Sequence, residues 1–426
     1  MKWRVKKSVL SGAITVPASK SHTIRALVIA TLAKGDSQLA NILTSGDGAS
    51  AISAARSMGA VVEISGKNAR VSGVGGDYGR GSDNFNMENS GTSTNLFTSV
   101  AALGSRRRRF DGDESLRSRP FRPVLEALKG LGAIFGFERQ GSDLPFWVCG
   151  PLRGGKTKVN GFSSQYVSSL LFSCPCAPAD TELTVENLHE RPYVEMSMRW
   201  LDRQGIRYEA SADLERFRVF GGQSYKALHY TVPGDFSSAT FAAVAAPLTG
   251  SRLALEGLDF SDSQGDKGLF DVLVAMGAKV LKNYSGAVVE GGGELRGREI
   301  DLNEMPDTLP ALSVLGCVAK GETKIVNVAQ ARIKETDRIA VMAAELKNMG
   351  ADITEEKDGL TVRQSRLKGA KVSGHGDHRV VMALALAGMV ADGETIIDTA
   401  EAAAVTYPTF LEDFRTLGAN IEIVKE

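Results

Sequence analysis

One local pattern recurs six times along the 426 residues and restricts the chain to folds built from repeated subdomains. A glycine followed by Ala or Ile closes an amphipathic stretch at Gly59, Gly132, Gly205, Gly277, Gly350 and Gly418, at intervals of 73, 73, 72, 73 and 68 residues. The stretches before it, such as PVLEALKGLGA and AVMAAELKNMGA, have helical periodicity, and those after it, such as VVEIS and NIEIV, are β-rich. The glycine therefore reads as a helix C-cap feeding a strand. A second marker keeps the same period. Short strands open near Ala13, Asn84, Lys156, Leu228, Glu299 and Ala370, each leading through a turn of small residues into an apolar helix. The predicted unit is strand, helix, strand, helix, strand. Six units divide into three plus three, which predicts two similar α/β domains. The second is expected from about Ala227, where SYKALHYTVPGD opens the fourth copy.

The bulk numbers narrow the function. Lys+Arg and Asp+Glu both count 50, so the formal net charge is +0, unlike the basic excess of a nucleic-acid coat. Anion binding has to be local. Cys149, Cys174, Cys176 and Cys317 form no CxxC spacing and read as free thiols, which suits a reducing, cytoplasmic setting. No apolar run approaches the ~20 residues of a membrane span, and neither a signal peptide nor a transit peptide is expected. Five histidines without HxxxH or HExxH spacing argue against a metal site. Nucleotide-binding glycine motifs are missing, and no cofactor is expected.

Local anion binding has candidates at the helix starts. Ser, Thr, Asp and Asn there explain N-capping, but not the basic residues beside them. Lys20 and Arg25 flank the first helix start, and Arg379 follows His378 at the sixth. Helix N-termini carry free N–H groups and a positive dipole end, suited to phosphate or carboxylate. Polar clusters also open the second helices: SLRSRPFRP with Arg119 and Arg122, HERPYVEM with Arg191 and Tyr193, and ARIKETDRIAV with Lys334, Glu335 and Arg338. Lys334 and Arg338, four apart, are expected on one helix face. The run Arg106–Arg109 reads instead as a solvated surface strand or domain contact.

In order, PASKSHTIRAL, NSGTS, SRPFRP, SSQY, RPY, PDTLPAL, RIKETDR and GDHRVVMA resemble the motifs of 5-enolpyruvylshikimate-3-phosphate (EPSP) synthases, from about Gly12 to Phe414. The resemblance implies the enolpyruvyl transferase fold: two domains, each of three βαβαβ-type units around a pseudo-threefold axis. Residues 20–227 would form the N-terminal domain. Residues 1–19 with 228–426 would form the C-terminal one, with the active site in the cleft and domain closure on binding. It implies transfer of the enolpyruvyl group of phosphoenolpyruvate to the 5-hydroxyl of shikimate 3-phosphate, in chorismate and aromatic amino-acid biosynthesis, by a cytoplasmic monomer. Shikimate 3-phosphate would lie against Lys20, Ser21, Arg25, Ser163, Ser164, Gln165, Tyr193, Asp307 and Lys334. Phosphoenolpyruvate would lie against Lys20, Gly91, Thr92, Arg119, Gln165, Arg338 and Arg379. Asp307, Glu335, Lys20 and His378 would be the catalytic groups. The six cations Lys20, Arg25, Arg119, Lys334, Arg338 and Arg379 would match roughly five to six negative charges on the two substrates.

Four positions depart from the family pattern: Val405 for a Lys, Glu190 for a Ser beside the shikimate phosphate, Gln330 for an Asn, and Asn95 for an Arg. Glu190 would be unfavourable near a phosphate unless Arg191 pairs with it. Gly91 and Val405 point in opposite directions for the competing herbicide glyphosate. The related UDP-N-acetylglucosamine enolpyruvyl transferase is disfavoured, because RRRRFDGDESLRSRP holds no Cys where that family carries a reactive one. A DNA-encircling clamp is disfavoured by the neutral charge and by basic residues gathered in turns.

Overall fold

The computed structural model describes residues 1–424. Two strands open the chain, β1 (Lys2–Lys6) and β2 (Ser11–Thr15), before the repeats begin. The first repeat runs α1 (Lys20–Leu32), β3 (Asp36–Ala40), α2 (Gly46–Ser57), β4 (Val61–Ser65), β5 (Asn68–Ser72). The second runs β6 (Asn84–Asn86), α3 (Gly91–Ala101), β7 (Arg108–Asp111), the short α4 (Glu114–Arg117), α5 (Arg122–Gly130), β8 (Ile134–Phe137), β9 (Phe146–Cys149). The third runs β10 (Gly155–Asn160), α6 (Ser164–Ser173), β11 (Thr181–Glu186), α7 (Arg191–Gln204), β12 (Tyr208–Ala210), β13 (Arg216–Val219). The fourth runs β14 (His229–Thr231), α8 (Phe236–Leu248), β15 (Arg252–Glu256), α9 (Leu269–Met276), β16 (Lys279–Asn283), β17 (Gly286–Glu290). The fifth runs β18 (Glu299–Asp301), α10 (Leu309–Val318), β19 (Glu322–Val326), α11 (Arg338–Asn348), β20 (Asp352–Glu356), β21 (Gly359–Arg363). The sixth runs β22 (Lys371–Val372), α12 (His378–Val390), β23 (Glu394–Ile397), α13 (Phe410–Thr416), β24 (Asn420–Val424).

Each sheet has four strands, one more than the expected βαβαβ unit supplies, and the first five repeats end in an antiparallel hairpin, whereas β24 of the sixth pairs with β1. The first two strands pair in parallel, as in β6–β7 and β10–β11, so the first helix is the crossover between them. The expected glycines cap the second helix of each repeat. Gly59, Gly132, Gly205, Gly277, Gly350 and Gly418 all have positive φ, between 69° and 112°, where a side chain is strained.

The chain divides into a continuous unit, residues 20–232, and a discontinuous unit, residues 1–19 with 233–426. The expected join at 227/228 thus lies five residues too early. β14 opens the fourth repeat in sequence but pairs in parallel with β3 of the first, so it stays in the continuous unit. β2 takes the reciprocal place beside β15. β1 fills the last strand position of the sixth sheet, between β23 and β24.

In both units the first helices form the core. All residues of α3 and α8 are buried, as are all but the first two of α1, all but Gln165 of α6 and all but the last of α10 and α12. A helix buried on every face needs no amphipathic stripe, which is why these segments read as evenly apolar or small. Their hydroxyls bond within the core, as Thr94 to Ser90 O (2.6 Å) and Ser169 to Asn95 O on the neighbouring helix (2.6 Å). The second helices α5, α7 and α11 are amphipathic and lie nearer the surface.

Arg106–Arg109 is in part the solvated strand expected, with Arg107 exposed and Arg106 and Arg109 half-exposed, but not at Arg108. Arg108 is wholly buried on β7, donating to Met58 Sδ (2.6 Å), Tyr78 O (2.7 Å) and Arg80 O (2.6 Å). It ties the 78–80 loop to the second sheet.

Candidate active site

In the continuous unit, the starts of α1, α3, α6 and α7 are linked by one polar network. Lys20, the first residue of α1, pairs with Asp47 at the start of α2 (3.3 Å), and both are largely buried. Ser93 of α3 donates to the Asp47 carbonyl (3.3 Å). Gly91 opens α3 because the backbone there lies against other groups: a Cβ would stand 2.9 Å from Arg119 and 3.7 Å from Gln165. Thr92 follows, buried. Arg119 is held by the Asn89 side chain and by Ser115 (3.3 Å).

Asn95 donates to the Gln165 amide oxygen (2.9 Å) and to Gly91 O (3.0 Å). Where the family pattern has Arg, this residue orients Gln165 without adding charge. Ser163 caps α6, accepting from the Gln165 N–H (3.4 Å). The preceding N–H, that of Ser164, goes to the Glu190 carboxylate (3.3 Å), as does the Ser164 hydroxyl (2.7 Å). Arg191, whose pairing would have offset Glu190, is engaged elsewhere. It binds Glu195 (2.9 Å) and Ala212 O (2.8 Å), because the i,i+4 carboxylate is the neighbour on its helix face.

Arg25 is buried and donates to Ser197 (3.0 Å), Ser168 (3.3 Å), Tyr193 O (3.1 Å) and Ser21 O (3.1 Å). Burial lowers its guanidinium to about 10, opposed in part by the charge of Glu190. These four acceptors are all neutral oxygens. Arg25 thus locks Ser21 and Tyr193 in place across α1, α6 and α7.

The discontinuous unit gathers a carboxylate–arginine cluster at the starts of α8, α10, α11 and α12. Arg338, wholly buried, donates to Asp307 (2.8 Å), Glu335 (2.5 Å) and both oxygens of Asp377 (2.8 and 3.1 Å). Burial alone would lower its pKa; the charges of Asp377, Glu335 and Asp307 overcome that and raise it. Asp377 also caps α12, accepting from the Arg379 N–H (2.9 Å). Arg379 pairs with Asp307 (2.9 Å), and its buried Nε has no hydrogen-bond partner among the described residues. His378 is 1% exposed, and burial drives its imidazole down to about 3, so it is neutral at physiological pH. Its Nε2 is likewise buried without a hydrogen-bond partner among the described residues.

Two expectations fail here. Lys334 lies outside α11, which begins at Arg338 behind the Asp337 cap, so the two cations do not share a helix face. Nor are six cations left over for substrate. Arg338 is matched by three carboxylates, Arg379 by Asp307 and Lys20 by Asp47. Three of the six charges are thus paired with carboxylates inside the protein.

Asp47, Asp266 and Asp377 were missed by sequence reasoning. Asp266 is fully buried and accepts from the Ser237 hydroxyl, while Arg379 donates to Ser237 O (3.5 Å). Burial raises its carboxyl to about 7, with Asp307 adding to the rise. A signal existed: a Gly-Asp pair opens a helix or its preceding turn at Gly46-Asp47, Gly234-Asp235, Gly265-Asp266 and Gly376-Asp377. Gln330 is buried and donates to Asn303 O (3.1 Å). Val405 ends a short 3₁₀ turn, Ala400–Val405.

Two units of three repeats with buried central helices, one with polar helix starts and the other with a carboxylate–arginine cluster, have the architecture of the enolpyruvyl transferases. Residues 5–414 match the EPSP synthase family, described as 3-phosphoshikimate 1-carboxyvinyltransferase. A 3-phosphoshikimate 1-carboxyvinyltransferase of Acetivibrio thermocellus is 50% identical over 418 residues, 98% of each chain. Another, of Methanocella arvoryzae, is 42% identical over 423 residues, 99% of each. A solved EPSP synthase from Acinetobacter baumannii superposes with a TM-score of 0.83 at 26% identity over the full length of both chains. The chain belongs to the EPSP synthase family. It is accordingly an enzyme, a carboxyvinyl (enolpyruvyl) transferase of the shikimate pathway leading to aromatic amino acids. Among the described residues no helix is long and apolar enough to cross a membrane.

Proposed function

We propose that the helix starts of the continuous unit hold the two phosphorylated substrates and that the carboxylate–arginine cluster of the other unit manages the protons. Shikimate 3-phosphate is assigned to Lys20, Ser21, Arg25, Ser163, Ser164, Gln165 and Tyr193, with Asp307 and Lys334 toward its hydroxyls. Phosphoenolpyruvate is assigned to Lys20, Gly91, Thr92, Arg119, Gln165 and Arg379. Arg338, first expected among these, is reassigned to holding the carboxylates, since three of them take its donors. The unpartnered Arg379 Nε supports a carboxylate or phosphate ligand beside it.

The reaction joins the acceptor's 5-hydroxyl oxygen to C2 of phosphoenolpyruvate while C3 takes a proton. The tetrahedral intermediate then expels phosphate as C3 loses a proton, restoring the double bond. Asp307 takes the hydroxyl proton, and Glu335 with Lys20 delivers and removes the proton at C3. His378, neutral in its buried place, serves as a hydrogen-bonding group beside the reacting carbons rather than as a cation. The observation that carries this assignment is Arg338, whose one guanidinium binds both Asp307 and Glu335 and so fixes the spacing of base and acid.

Steady-state phosphate release from shikimate 3-phosphate and phosphoenolpyruvate tests the reading. Asp307→Asn and Glu335→Gln are each expected to lower kcat by about 100-fold or more with far smaller changes in KM. Unchanged turnover removes that residue from its role, and release with UDP-N-acetylglucosamine as the sole acceptor overturns the acceptor assignment. The four free cysteines support a cytoplasmic enzyme. A monomer is proposed, with sedimentation as its test. Glyphosate is proposed as a competitor on the phosphoenolpyruvate side. Gly91 leaves room against Arg119 for it, whereas Val405 supplies no cation, and an inhibition titration decides between them.

A further inference from the structure

The buried start of α6 already holds an anion of the protein's own. Glu190 is 2% exposed and sits in the left-handed region at φ 54°, ψ 40°. A non-glycine residue keeps that conformation only where its surroundings fix it. The fixing contacts are the Ser164 N–H and hydroxyl, both on Glu190 Oε2 at 3.3 and 2.7 Å. The next two donors of the helix are also taken, Gln165 N–H by the Ser163 hydroxyl (3.4 Å) and Tyr166 N–H by Ser163 O (3.2 Å). A helix N-terminus favours negative charge, and here the carboxylate of Glu190 provides it.

We propose that Glu190 is a specificity-determining residue: an internal carboxylate that competes with the acceptor's phosphate for the start of α6 and so sets how tightly a phosphorylated acceptor is held. The inference rests on the placement of shikimate 3-phosphate against Ser163, Ser164 and Gln165. A phosphate and a carboxylate cannot both accept the same N–H and hydroxyl, and side by side they repel. Binding then requires Glu190 to leave Ser164, or the phosphate to forgo those donors. Arg191 does not relieve the conflict, because its guanidinium is engaged with Glu195 and Ala212 O. An acceptor without the phosphate does not meet Glu190 in this way, so the residue grades ligands by charge at one position.

Calorimetric titration of the full-length protein with shikimate 3-phosphate and, separately, with shikimate tests this in Glu190→Gln and Glu190→Ser. Removing the charge is expected to tighten shikimate 3-phosphate by roughly tenfold or more while shikimate shifts by about twofold or less. Glu190→Gln keeps the shape of the side chain, so the answer does not depend on how well the serine variant folds. Weaker binding of shikimate 3-phosphate in Glu190→Gln overturns the proposal, and so does an equal shift for both ligands, which marks a purely structural residue. Failure of the unaltered protein to bind shikimate 3-phosphate is a different result. It removes the acceptor placement itself, and the proposal with it.

Discussion

A guanidinium shared by three carboxylates is a costly arrangement for a single residue. Arg338 has no exposed surface, so its charge is stabilised only by Asp307, Glu335 and Asp377. Removing it leaves three carboxylates crowded together, Asp377 wholly buried and Asp307 and Glu335 mostly so. Arg338→Gln should cost about 3–5 kcal/mol of stability, read from urea unfolding, and should abolish turnover. Arg338→Lys keeps the charge but lacks the planar fork that meets three acceptors at once, so it should recover part of the stability and little of the activity. Equal unfolding midpoints for Gln, Lys and Arg at this position would show that the cluster does not depend on its cation. The motif RIKETDR was legible in the sequence, but this role was not. Spacing alone suggested Lys334 and Arg338 on one face, and the Asp337 cap that starts the helix at Arg338 makes that impossible.

At the scale of elements, the six-fold glycine was the most informative sign, because positive φ at a helix end leaves glycine little competition. The six sites are not equally demanding. At Gly205 an added Cβ meets nothing within 4 Å, whereas at Gly59 it would stand 2.6 Å from the Arg80 Cβ. Gly205→Ala should therefore cost about 1 kcal/mol, the left-handed penalty alone. Gly59→Ala should cost roughly 1–3 kcal/mol more from the clash. Urea midpoints of the two variants check the order, and an equal loss would mean that backbone conformation alone matters. The helices and their caps are local and could be read along the chain. The fourth strand of each sheet, the exchange of β2 and β14 and the insertion of β1 could not. Strands such as His229–Thr231 span three residues, too few for a period, and their partners lie far off in sequence.

For the whole molecule, the interior of the discontinuous unit carries two ionisations displaced in opposite directions, which together shape stability against pH. His378 falls from 6.5 to about 3 on burial, so the folded state refuses a proton that the unfolded chain accepts. Its contribution is complete above pH 6.5 and is lost as pH falls toward 3. Asp266 rises from 3.8 to about 7, so the folded state keeps a proton that the unfolded chain gives up. Its contribution is complete below pH 3.8 and is lost as pH climbs to about 7, with no further loss above. Asp307, Arg379 and Asp235 face Asp266, and Arg379 is the one that favours its charged form. Between pH 4 and 6.5 the two slopes oppose, which predicts a broad maximum rather than a steady rise toward neutrality. Asp266→Asn removes one slope. Its melting temperature relative to the unaltered protein should climb from pH 4 to 7 and then level off. His378→Gln should gain on the unaltered protein as pH falls from 6.5 to 4. Scanning calorimetry of the three proteins across that range is the measurement. A constant offset for Asp266→Asn at every pH would show that its carboxyl ionises in the folded state as it does in the unfolded chain.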